Sequence, residues 1–408
     1  MSQPFTLGVN YWPRRKAMYW WPNFDGGEVK EEFAIIKELG MNLVRVFLLW
    51  DDWQPAPDEV SPSCMRNFET LCEIADSKGL KLDVTFFTGH MSGPNWSPRW
   101  LLRGNKLNKR VQQLVSGGEV VTRGYRNPFH DAVAIAAEKL LLSTVVGTFK
   151  SHPAIGMWNL GNEPDLFAWP DSARKGKAWV HNLTQWIKHI DPHHPVTCGL
   201  HVASLLQNNN LRVHDVYGET DVAVMHAYPM YLSWARQPLD PDLVPYTCAL
   251  VSALTGKPTL MEEFGGCTAQ PGEKSYVWEW TAYGRPRTQF MASEEDFAEY
   301  MAAVLPKLVE VGATGAMTWC FADYIEALWN KPPCGESKHE RFFGLVRPDG
   351  SLKPHAEVIK KFAASKPTVL ETPVRTVKLP YTANTFYRNP AGNAKALYTE
   401  YLKQLDEK

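Results

Sequence analysis

Eight short apolar runs divide this chain, and a segment with helical periodicity follows most of them. In the segment after the first run, Val29, Phe33, Ile36 and Leu39 keep the spacing of one helix face, and Gly40 follows as a C-terminal stop. Eight strands with helices between most of them are typical of a parallel (β/α)8 barrel rather than of an open doubly wound sheet. We therefore predict an α/β protein with the TIM-barrel fold. The predicted strands cover residues 5–10, 42–48, 80–87, 153–158, 196–200, 222–225, 258–261 and 315–320.

The segments between these runs set the domain organisation. Two long loops, 91–128 and 264–289, follow the third and seventh strands, and loops of this length are commonly functional. After Lys366 the pattern changes to proline-punctuated chain, with a short amphipathic helix near 394–404. We predict one barrel domain over residues 1–365 and a C-terminal extension, 366–408, that packs on the barrel. The predicted helices cover residues 28–39, 67–78, 131–149, 176–190, 243–255, 293–311 and 353–364.

Composition excludes several classes of partner. The formal net charge of −1 gives no electrostatic case for nucleic acid or an acidic membrane. We find no glycine-rich phosphate motif, and we expect no apolar run of membrane-spanning length. Seven cysteines without a CxxC pair, and no signal-like start, predict a cytoplasmic protein with reduced thiols. No His, Asp or Glu cluster has metal-ligand spacing, so no metal is predicted.

Acidic residues end two of the predicted strands. Glu163 lies just after the fourth strand, and Pro164 stops that strand because proline has no N–H for the ladder. Glu262 and Glu263 follow the seventh strand. In a barrel, the carboxyl ends of the strands meet at the face where active sites lie. Two carboxylates at this mouth are what glycosidic cleavage requires, one protonated as an acid and one ionised to attack the anomeric carbon.

The two strand ends resemble those of a known group of enzymes. Residues 153–164, PAIGMWNLGNEP, are similar to the acid/base signature of glycoside hydrolase clan A, and of family 5 in particular. Residues 258–265, PTLMEEFG, are similar to its nucleophile strand. The resemblance covers roughly residues 5–365. It implies a retaining double displacement, with Glu163 as acid/base, Glu263 as nucleophile and their carboxyl groups about 5–5.5 Å apart.

Glu262 is the alternative nucleophile. Adjacent residues of a strand point to opposite faces, so we expect only one of the two glutamates to face the reacting centre. The family pattern favours Glu263, and Glu262 would then point away and need a partner of its own.

Five further positions match residues that the family places around the cleaved bond. Arg45, a charge within the apolar second strand, resembles the arginine that keeps the nucleophile ionised, with a buried structural salt bridge as the alternative. Asn162 resembles the asparagine that contacts the sugar 2-hydroxyl. His226 and Tyr228 resemble the strand-six pair whose tyrosine hydroxyl lies near the nucleophile. Trp319 resembles the strand-eight tryptophan beneath the sugar at the cleavage point.

Residues at the barrel mouth and in the long loops bear on the substrate. His90 ends the third strand and is predicted to contact a sugar from this position alone, because its surroundings match no family pattern closely. The chain has 16 tryptophans, and those in loops either pack or present flat faces to sugar rings. Trp96, Trp100, Trp278 and Trp280 lie in the two long loops. We expect them to wall off one side of the cleft and leave a pocket.

The predicted substrate is therefore an oligosaccharide that is shortened from one end. Residues 8–12, GVNYW, and the general layout resemble the mannan-directed branches of the family, which implies an exo-acting β-mannosidase on manno-oligosaccharides. An endo-β-1,4-mannanase, a β-glucanase or a β-glucosidase of the same fold is the alternative. A non-catalytic carbohydrate-binding barrel is the alternative of another class. The mechanism implied by the resemblance needs no cofactor.

Overall fold

The computed structural model describes residues 3–406, and its largest sheet consists of eight parallel strands. These are β1 (Thr6–Tyr11), β2 (Leu43–Leu49), β3 (Lys81–Thr88), β4 (Ile155–Asn162), β5 (Val196–Gly199), β6 (Ala223–His226), β7 (Thr259–Gly265) and β8 (Gly315–Trp319). Their order in the sheet is β5-β4-β3-β2-β1-β8-β7-β6. An isolated parallel bridge between His201 and His226 links the ends of the β5 and β6 segments, so the sheet is nearly closed into a barrel. The predicted TIM-barrel fold is confirmed.

Helices cover the outside of the barrel between successive strands. They are α1 (Gly26–Glu38), α2 (Pro62–Ser77), α3 (Ala132–Phe149), α4 (Ala173–Ile190), α5 (Val213–Tyr217), α6 (Leu243–Thr255), α7 (Glu294–Glu310) and α8 (Pro354–Ala364). Helix α2 begins earlier than predicted because Ser61 caps it and Pro62 occupies its first turn. Helix α5 was not predicted. Shorter helical segments are Ala17–Tyr19, Trp50–Trp53, Arg99–Leu101, Pro164–Phe167, Ala203–Leu206, Pro229–Tyr231, Glu326–Leu328, Lys338–Phe342 and Ala383–Phe386.

The strands form where the sequence offers continuous apolar runs, as a parallel sheet covered on both faces requires. Every residue of β2 and of β7 is buried. Arg45 is the one charged residue of β2, and it is fully buried inside the barrel. A charge in that position needs partners of opposite sign, and the barrel mouth provides them.

The two long loops contain strands that were not predicted. In the second loop, Tyr276–Ala282 and Arg285–Met291 form an antiparallel hairpin whose turn, Tyr283-Gly284, has positive φ at both residues. In the first loop, Asn95–Trp96, Leu114–Ser116 and Glu119–Val120 make one small sheet, and Leu102–Arg103 pairs with Gly124–Tyr125. Both loops therefore stand as ordered walls above the barrel.

Helix α3 is long and apolar enough, by length and composition, to cross a membrane, and no other helix within residues 3–406 is. The expectation that no apolar run approaches that length is therefore wrong. The helix lies between β3 and β4, where Leu141, Leu142, Val145 and Val146 are fully buried. Its apolar character has the ordinary explanation of a helix that packs into a core.

The chain after α8 returns to both ends of the barrel. Thr368 forms a bridge with Pro4 beside β1. The helix Pro390–Asp406 packs against α6, where Tyr246 and Tyr398 have ring centroids 4.9 Å apart. The Tyr387 hydroxyl donates to the Ser204 carbonyl, close to the end of β5. These contacts attach the segment to the β5–β6 side of the barrel, and the boundary at residue 365 stays a prediction.

Candidate active site

The predicted site residues converge on one cavity at the carboxyl ends of the strands. The cavity measures about 420 Å³. Six of the eight line it, and the other two, Arg45 and His226, lie directly beneath it with no exposed surface. The six are His90, Asn162, Glu163, Tyr228, Glu263 and Trp319.

The backbone directs Glu163 into this cavity. Glu163 has φ 47° and ψ 51°, the left-handed conformation that non-glycine residues adopt rarely. Its amide donates to the Gly199 carbonyl at 2.8 Å, and Pro164 starts a short helix directly afterwards. The turn therefore breaks β4 abruptly and presents the carboxyl group to the mouth of the barrel. Strain of this kind collects at functional sites.

The surroundings of Glu163 favour its protonated form. Burial raises the pKa of Glu163 to about 7; the hydrogen bond from His226 opposes this shift, and the charge of Glu263 adds to it. Oε1 accepts from His226 Nδ1 at 3.0 Å. Among the described residues 3–406, Oε2 has no hydrogen-bond partner, and His90 Nε2 lies 3.9 Å away, beyond hydrogen-bond range. The proton therefore belongs on Oε2, at the cavity surface.

Glu263 is held in the opposite way, by cationic and hydroxyl donors. Arg45 Nη1 donates to Oε1 at 2.6 Å, and the Tyr228 hydroxyl donates to Oε2 at 2.9 Å. The ion pair with Arg45 is almost fully buried, with side-chain exposures of 0% and 4%. Charge-assisted bonds of this kind hold the carboxylate in a fixed orientation, as a nucleophile requires.

Glu262 does not point away from the centre, so the expectation from strand alternation is wrong. The register between β6 and β7 shifts here, with Met225 opposite Met261 but His226 opposite Glu263. Glu262 is the extra residue of this bulge, and the kink turns its side chain into the barrel interior. Its carboxylate is fully buried, whereas Glu263 lines the cavity.

Three donors surround the Glu262 carboxylate. It accepts from Asn159 Nδ2 at 3.0 Å and His226 Nε2 at 2.8 Å, and Arg45 Nη2 lies 3.3 Å away. Burial raises the pKa of Glu262, but the Arg45 charge and the His226 hydrogen bond outweigh burial and lower it below its ordinary value. Glu262 therefore serves as the counter-ion beneath the site.

His226 joins the two acidic strand ends. Burial lowers its pKa, but the charge of Glu263 and the hydrogen bonds to Glu163 and Glu262 raise it to about 10. The imidazolium donates Nδ1–H to Glu163 and Nε2–H to Glu262. Because His226 has no exposed surface, the structure places it as a positioning residue rather than at a sugar-contacting surface.

Asn162 and His90 form one wall of the cavity. Asn162 Oδ1 accepts from Arg45 Nη2 at 3.1 Å, and its Nδ2 donates to the His90 carbonyl at 2.8 Å. One amide hydrogen of Asn162 is left for a ligand. Burial lowers the pKa of His90 to about 4, and Nδ1 is hydrogen-bonded to Asn95 Oδ1 at 2.6 Å. His90 is therefore neutral and offers Nε2 as an acceptor.

Trp319 also lines the cavity, beside a carboxyl group that the sequence did not reveal. Trp319 Nε1 donates to Glu340 Oε2 at 3.4 Å, and Ser92 Oγ donates to the same oxygen at 3.0 Å. Burial raises the pKa of Glu340 to about 7, although the bonds from Ser92 and Trp319 oppose this. Glu340 lies well after β8 in a short 3-10 helix, where no strand end marks it.

Two further residues line the cavity: His201, which was not predicted, and Trp169, one of the loop tryptophans for which packing and sugar stacking were both left open. His201 follows the predicted fifth strand directly, so its position at a strand end was the available signal. The four loop tryptophans expected to wall the cleft do not line the cavity. Trp96 and Trp280 instead donate to the backbone carbonyls of Met91 and Glu336, and so hold the loops in place.

The geometry brings the two proposed reacting carboxylates close together. One atom each from Glu163, His226 and Glu263 lies within 4.8 Å of the other two. Such a cluster also has the spacing to hold a cation, and the sequence could not show this because the residues end three different strands. The nearest oxygen atoms of Glu163 and Glu263 are therefore within 4.8 Å of each other, so both carboxyl groups can reach the atoms of one glycosidic bond.

Comparison with known families agrees with this geometry. The model of the family described as glycosyl hydrolases family 2, TIM barrel domain, matches residues 120–365. The chain belongs to this family. The predicted relationship to TIM-barrel glycoside hydrolases is therefore confirmed, and the matched segment of this glycosyl hydrolase barrel contains both Glu163 and Glu263.

Curated relatives of this glycosyl hydrolase barrel are described as mannan-cleaving. It is 27% identical over 231 residues to a probable mannan endo-1,4-beta-mannosidase C of Aspergillus terreus, covering 50% of this chain and 51% of the relative. It is 24% identical over 292 residues to mannan endo-1,4-beta-mannosidase A of Hypocrea jecorina, covering 64% and 61%. The chain thus spans about half to three fifths of the length of these relatives.

Solved structures share the fold. A GH5_18 variant from Streptomyces cattleya, in complex with Manb1-4GlcNAc, has a TM-score of 0.76 at 18% identity and covers 99% of this chain and 92% of its own. An exo-beta-1,4-mannosidase from Opitutaceae bacterium strain TAV5 has a TM-score of 0.72 at 23% identity, covering 89% and 60%. Because both identities are below 25%, these likenesses show that the chain shares the barrel fold with the two structures.

Proposed function

We propose that this protein is a retaining β-glycosidase of the family 5 type, and specifically an exo-acting β-mannosidase that acts on manno-oligosaccharides. The observation that carries the proposal is the pair Glu163 and Glu263. One is buried, with a raised pKa and a free oxygen at the cavity surface, and the other is fixed as a carboxylate by Arg45 and Tyr228.

The two carboxyl groups divide a double displacement between them. Glu163 Oε2 gives its proton to the glycosidic oxygen while the Glu263 carboxylate attacks the anomeric carbon, so the glycosidic bond breaks and a glycosyl ester forms. The leaving sugar departs as an alcohol. Glu163, now ionised, takes a proton from water, and the resulting attack at the anomeric carbon releases Glu263. Each of the two displacements inverts the configuration at the anomeric carbon, so the product keeps the configuration of the substrate.

Exo action is supported by how the cavity is closed on the Trp319 side. Ser92, from the loop after β3, donates to Glu340, from the segment after β8. The hydroxyl of Tyr283, in the hairpin turn, lies 2.9 Å from Ser337 Oγ. Three separate loops thus meet across one end of the cavity. A blind end of this kind favours binding of a terminal sugar over an internal one.

Mannose as the substrate sugar is supported by the relatives. Two curated relatives are named for mannan cleavage and one solved neighbour for β-1,4-mannoside cleavage from a chain end. Because the curated relatives are described as endo-acting, an endo-β-1,4-mannanase is the second candidate. The cytoplasmic location expected from the sequence stays a prediction.

A substrate panel tests the proposal. Aryl β-glycosides with manno, gluco, galacto and xylo configuration should show selective cleavage of the mannoside, and NMR of the first product should show the β anomer. Mannohexaose should release mannose first, with mannopentaose as the partner product. A ladder of internal fragments from long mannan would exclude exo action, and preferred cleavage of the glucoside would exclude mannose specificity.

A further inference from the structure

We infer that His201 is the hydrogen-bond donor of the leaving-group subsite. There it binds a hydroxyl of the leaving sugar, whose glycosidic oxygen is protonated by Glu163. This inference rests on the proposed function and goes further, because it assigns the side of the cavity that recognises the leaving sugar. The predicted site residues concern the reacting sugar, and none of them supplies this contact.

The position of His201 follows from the architecture. The amide of Val202 donates to the His226 carbonyl, and the amide of His226 donates to the Leu200 carbonyl, so the chain continues the sheet past β5. The His201 amide lies 3.3 Å from Asp165 Oδ1, two residues after Glu163. His201 therefore sits on a rigid strand end, next to the segment that carries the proton donor, and it lines the cavity.

Its hydrogen bonds fix which ring nitrogen carries the proton. The backbone amide of Ala203 donates to Nδ1 at 3.1 Å, so Nδ1 is an acceptor and the neutral ring must carry its hydrogen on Nε2. Burial, together with the nearby His226 and His90, lowers the pKa of His201 to about 3. Within residues 3–406, Nε2 has no hydrogen-bond partner of its own, so this donor is available to a ligand.

The reaction distinguishes two sides of the cavity, one for the leaving sugar and one for the sugar that becomes bonded to Glu263. The acid protonates the oxygen of the departing group, so the leaving sugar lies against Glu163 and the segments after β4 and β5. The sugar that becomes bonded to Glu263 lies against Tyr228 and Trp319. His201 belongs to the first side, together with Trp169, whose Nε1 donates to the Asp165 carbonyl.

Trp169 gives this side the aromatic surface that suits a sugar ring. It is half-buried, lines the cavity, and has the Arg110 guanidinium 3.7 Å from its ring centroid on one face. A flat indole beside a single oriented N–H donor fits the usual lining of a small-molecule site, in which aromatic surface is combined with a few placed polar groups. At this wall the hydrogen bond from His201 orients the leaving sugar, and Trp169 provides the apolar surface that the sugar ring contacts.

The test compares two substrates that differ only in the leaving group. Mannobiose presents leaving-group hydroxyls, and an aryl β-mannoside presents none. His201→Ala should lower kcat/KM for mannobiose about tenfold, the factor for one lost neutral hydrogen bond, while kcat/KM for the aryl mannoside stays within about twofold. His201→Gln, which keeps an N–H donor, should recover part of the loss.

His152→Ala is the matched control. His152 Nδ1 also accepts from the amide two residues later, at 3.1 Å, but it lies before β4, at the other end of the barrel. This variant should leave both substrates unchanged. An equal loss on both substrates with His201→Ala or His201→Gln, in folded protein by circular dichroism, would overturn the inference and leave the proposed function intact. Wild-type inactivity on both substrates would overturn the proposed function, and the inference with it.

Discussion

The ionisation of Glu163 gives the most direct test of the site. With a pKa of about 7, Glu163 carries its proton in about half of the molecules at pH 7. At the ordinary value of 4.5, about one molecule in 300 would carry it at that pH. The buried environment therefore increases the population of proton donor by about 150-fold, which corresponds to about 3 kcal/mol.

The sign of the pH dependence follows directly. The acid acts in its protonated form, so kcat/KM for mannobiose should be level below the pKa of Glu163 and fall about tenfold per unit above about pH 7. In Glu163→Gln this alkaline limb should disappear, since the amide does not titrate. The variant should also lose about 10²- to 10⁴-fold in kcat/KM, the usual contribution of a general acid.

The assay follows kcat/KM between about pH 5 and pH 9 with two substrates. A dinitrophenyl β-mannoside has a leaving group that needs no proton, so Glu163→Gln should release dinitrophenol in a burst and then stall at the glycosyl-enzyme. Added azide should restart turnover by attacking this intermediate. Equal losses on both substrates in the first step would contradict the role of Glu163.

Glu340 provides the matched control within the same cavity. It is a second lining carboxyl group whose pKa burial raises to about 7. If Glu163 causes the alkaline limb, Glu340→Gln keeps the limb, whatever its effect on binding. A limb that survives Glu163→Gln and vanishes in Glu340→Gln would move the proton donor to Glu340 and refute the assignment.

Three further predictions follow from the same contacts. Glu263→Ala should abolish turnover, and azide should rescue it with inverted product; Glu262→Ala should instead lower the free energy of unfolding by about 3–5 kcal/mol without azide rescue, because it removes one of the carboxylates that balance the two buried cations. Rescue of Glu262→Ala in place of Glu263→Ala would exchange the two roles. Burial raises the pKa of Glu138, so this carboxyl group stabilises the fold at low pH and less as pH rises from about 4 towards the folded pKa; in thermal melts Glu138→Gln should flatten this decline, and an unchanged slope would contradict it. Gly199→Ala should lower the melting temperature and the activity, since a Cβ would lie 2.6 Å from Arg45 Nη2; unaltered values would show that the strand can move aside.

The barrel and the reacting pair could be predicted because local signals coincide there. Continuous apolar runs mark buried parallel strands, and a proline or a glycine marks where several of these runs must stop. Glu163 and Glu263 stand at such stops, so counting strands was enough to place them on the same face. The hairpin Tyr276–Ala282 and Arg285–Met291 lacked this signal, because half of its strand residues are exposed and neither strand is a continuous buried apolar run.

Other parts of the site depend on long-range structure. Glu262 enters the barrel because the register between β6 and β7 shifts by one residue, and a register belongs to two strands rather than to either sequence. Glu340 reaches the cavity through contacts with Ser92 and Trp319, which are distant in the chain. Both are tertiary effects with no local pattern.

The charges at the centre explain how one carboxyl group can serve as acid and then as base. Arg45 and His226 are cations, and they balance the carboxylates of Glu262 and Glu263 while Glu163 is neutral. When Glu263 becomes an ester, it loses its charge, and Glu163 gains one by giving up its proton. The sum of charge in this buried cluster is therefore the same before and after the first step.

This balance predicts a change in the acidity of Glu163 during turnover. The charge of Glu263 is one of the causes that raise the pKa of Glu163, and it is absent in the glycosyl-enzyme. With the intermediate trapped by a 2-deoxy-2-fluoro mannosyl donor, a carbon-13 titration of Glu163 should give a pKa below the value of about 7 in the free enzyme. The same titration in Glu263→Gln should give a similar decrease, because the amide is also uncharged. An unchanged pKa in both would mean that the charge of Glu263 does not help to set it, and would contradict the charge balance proposed for the first step.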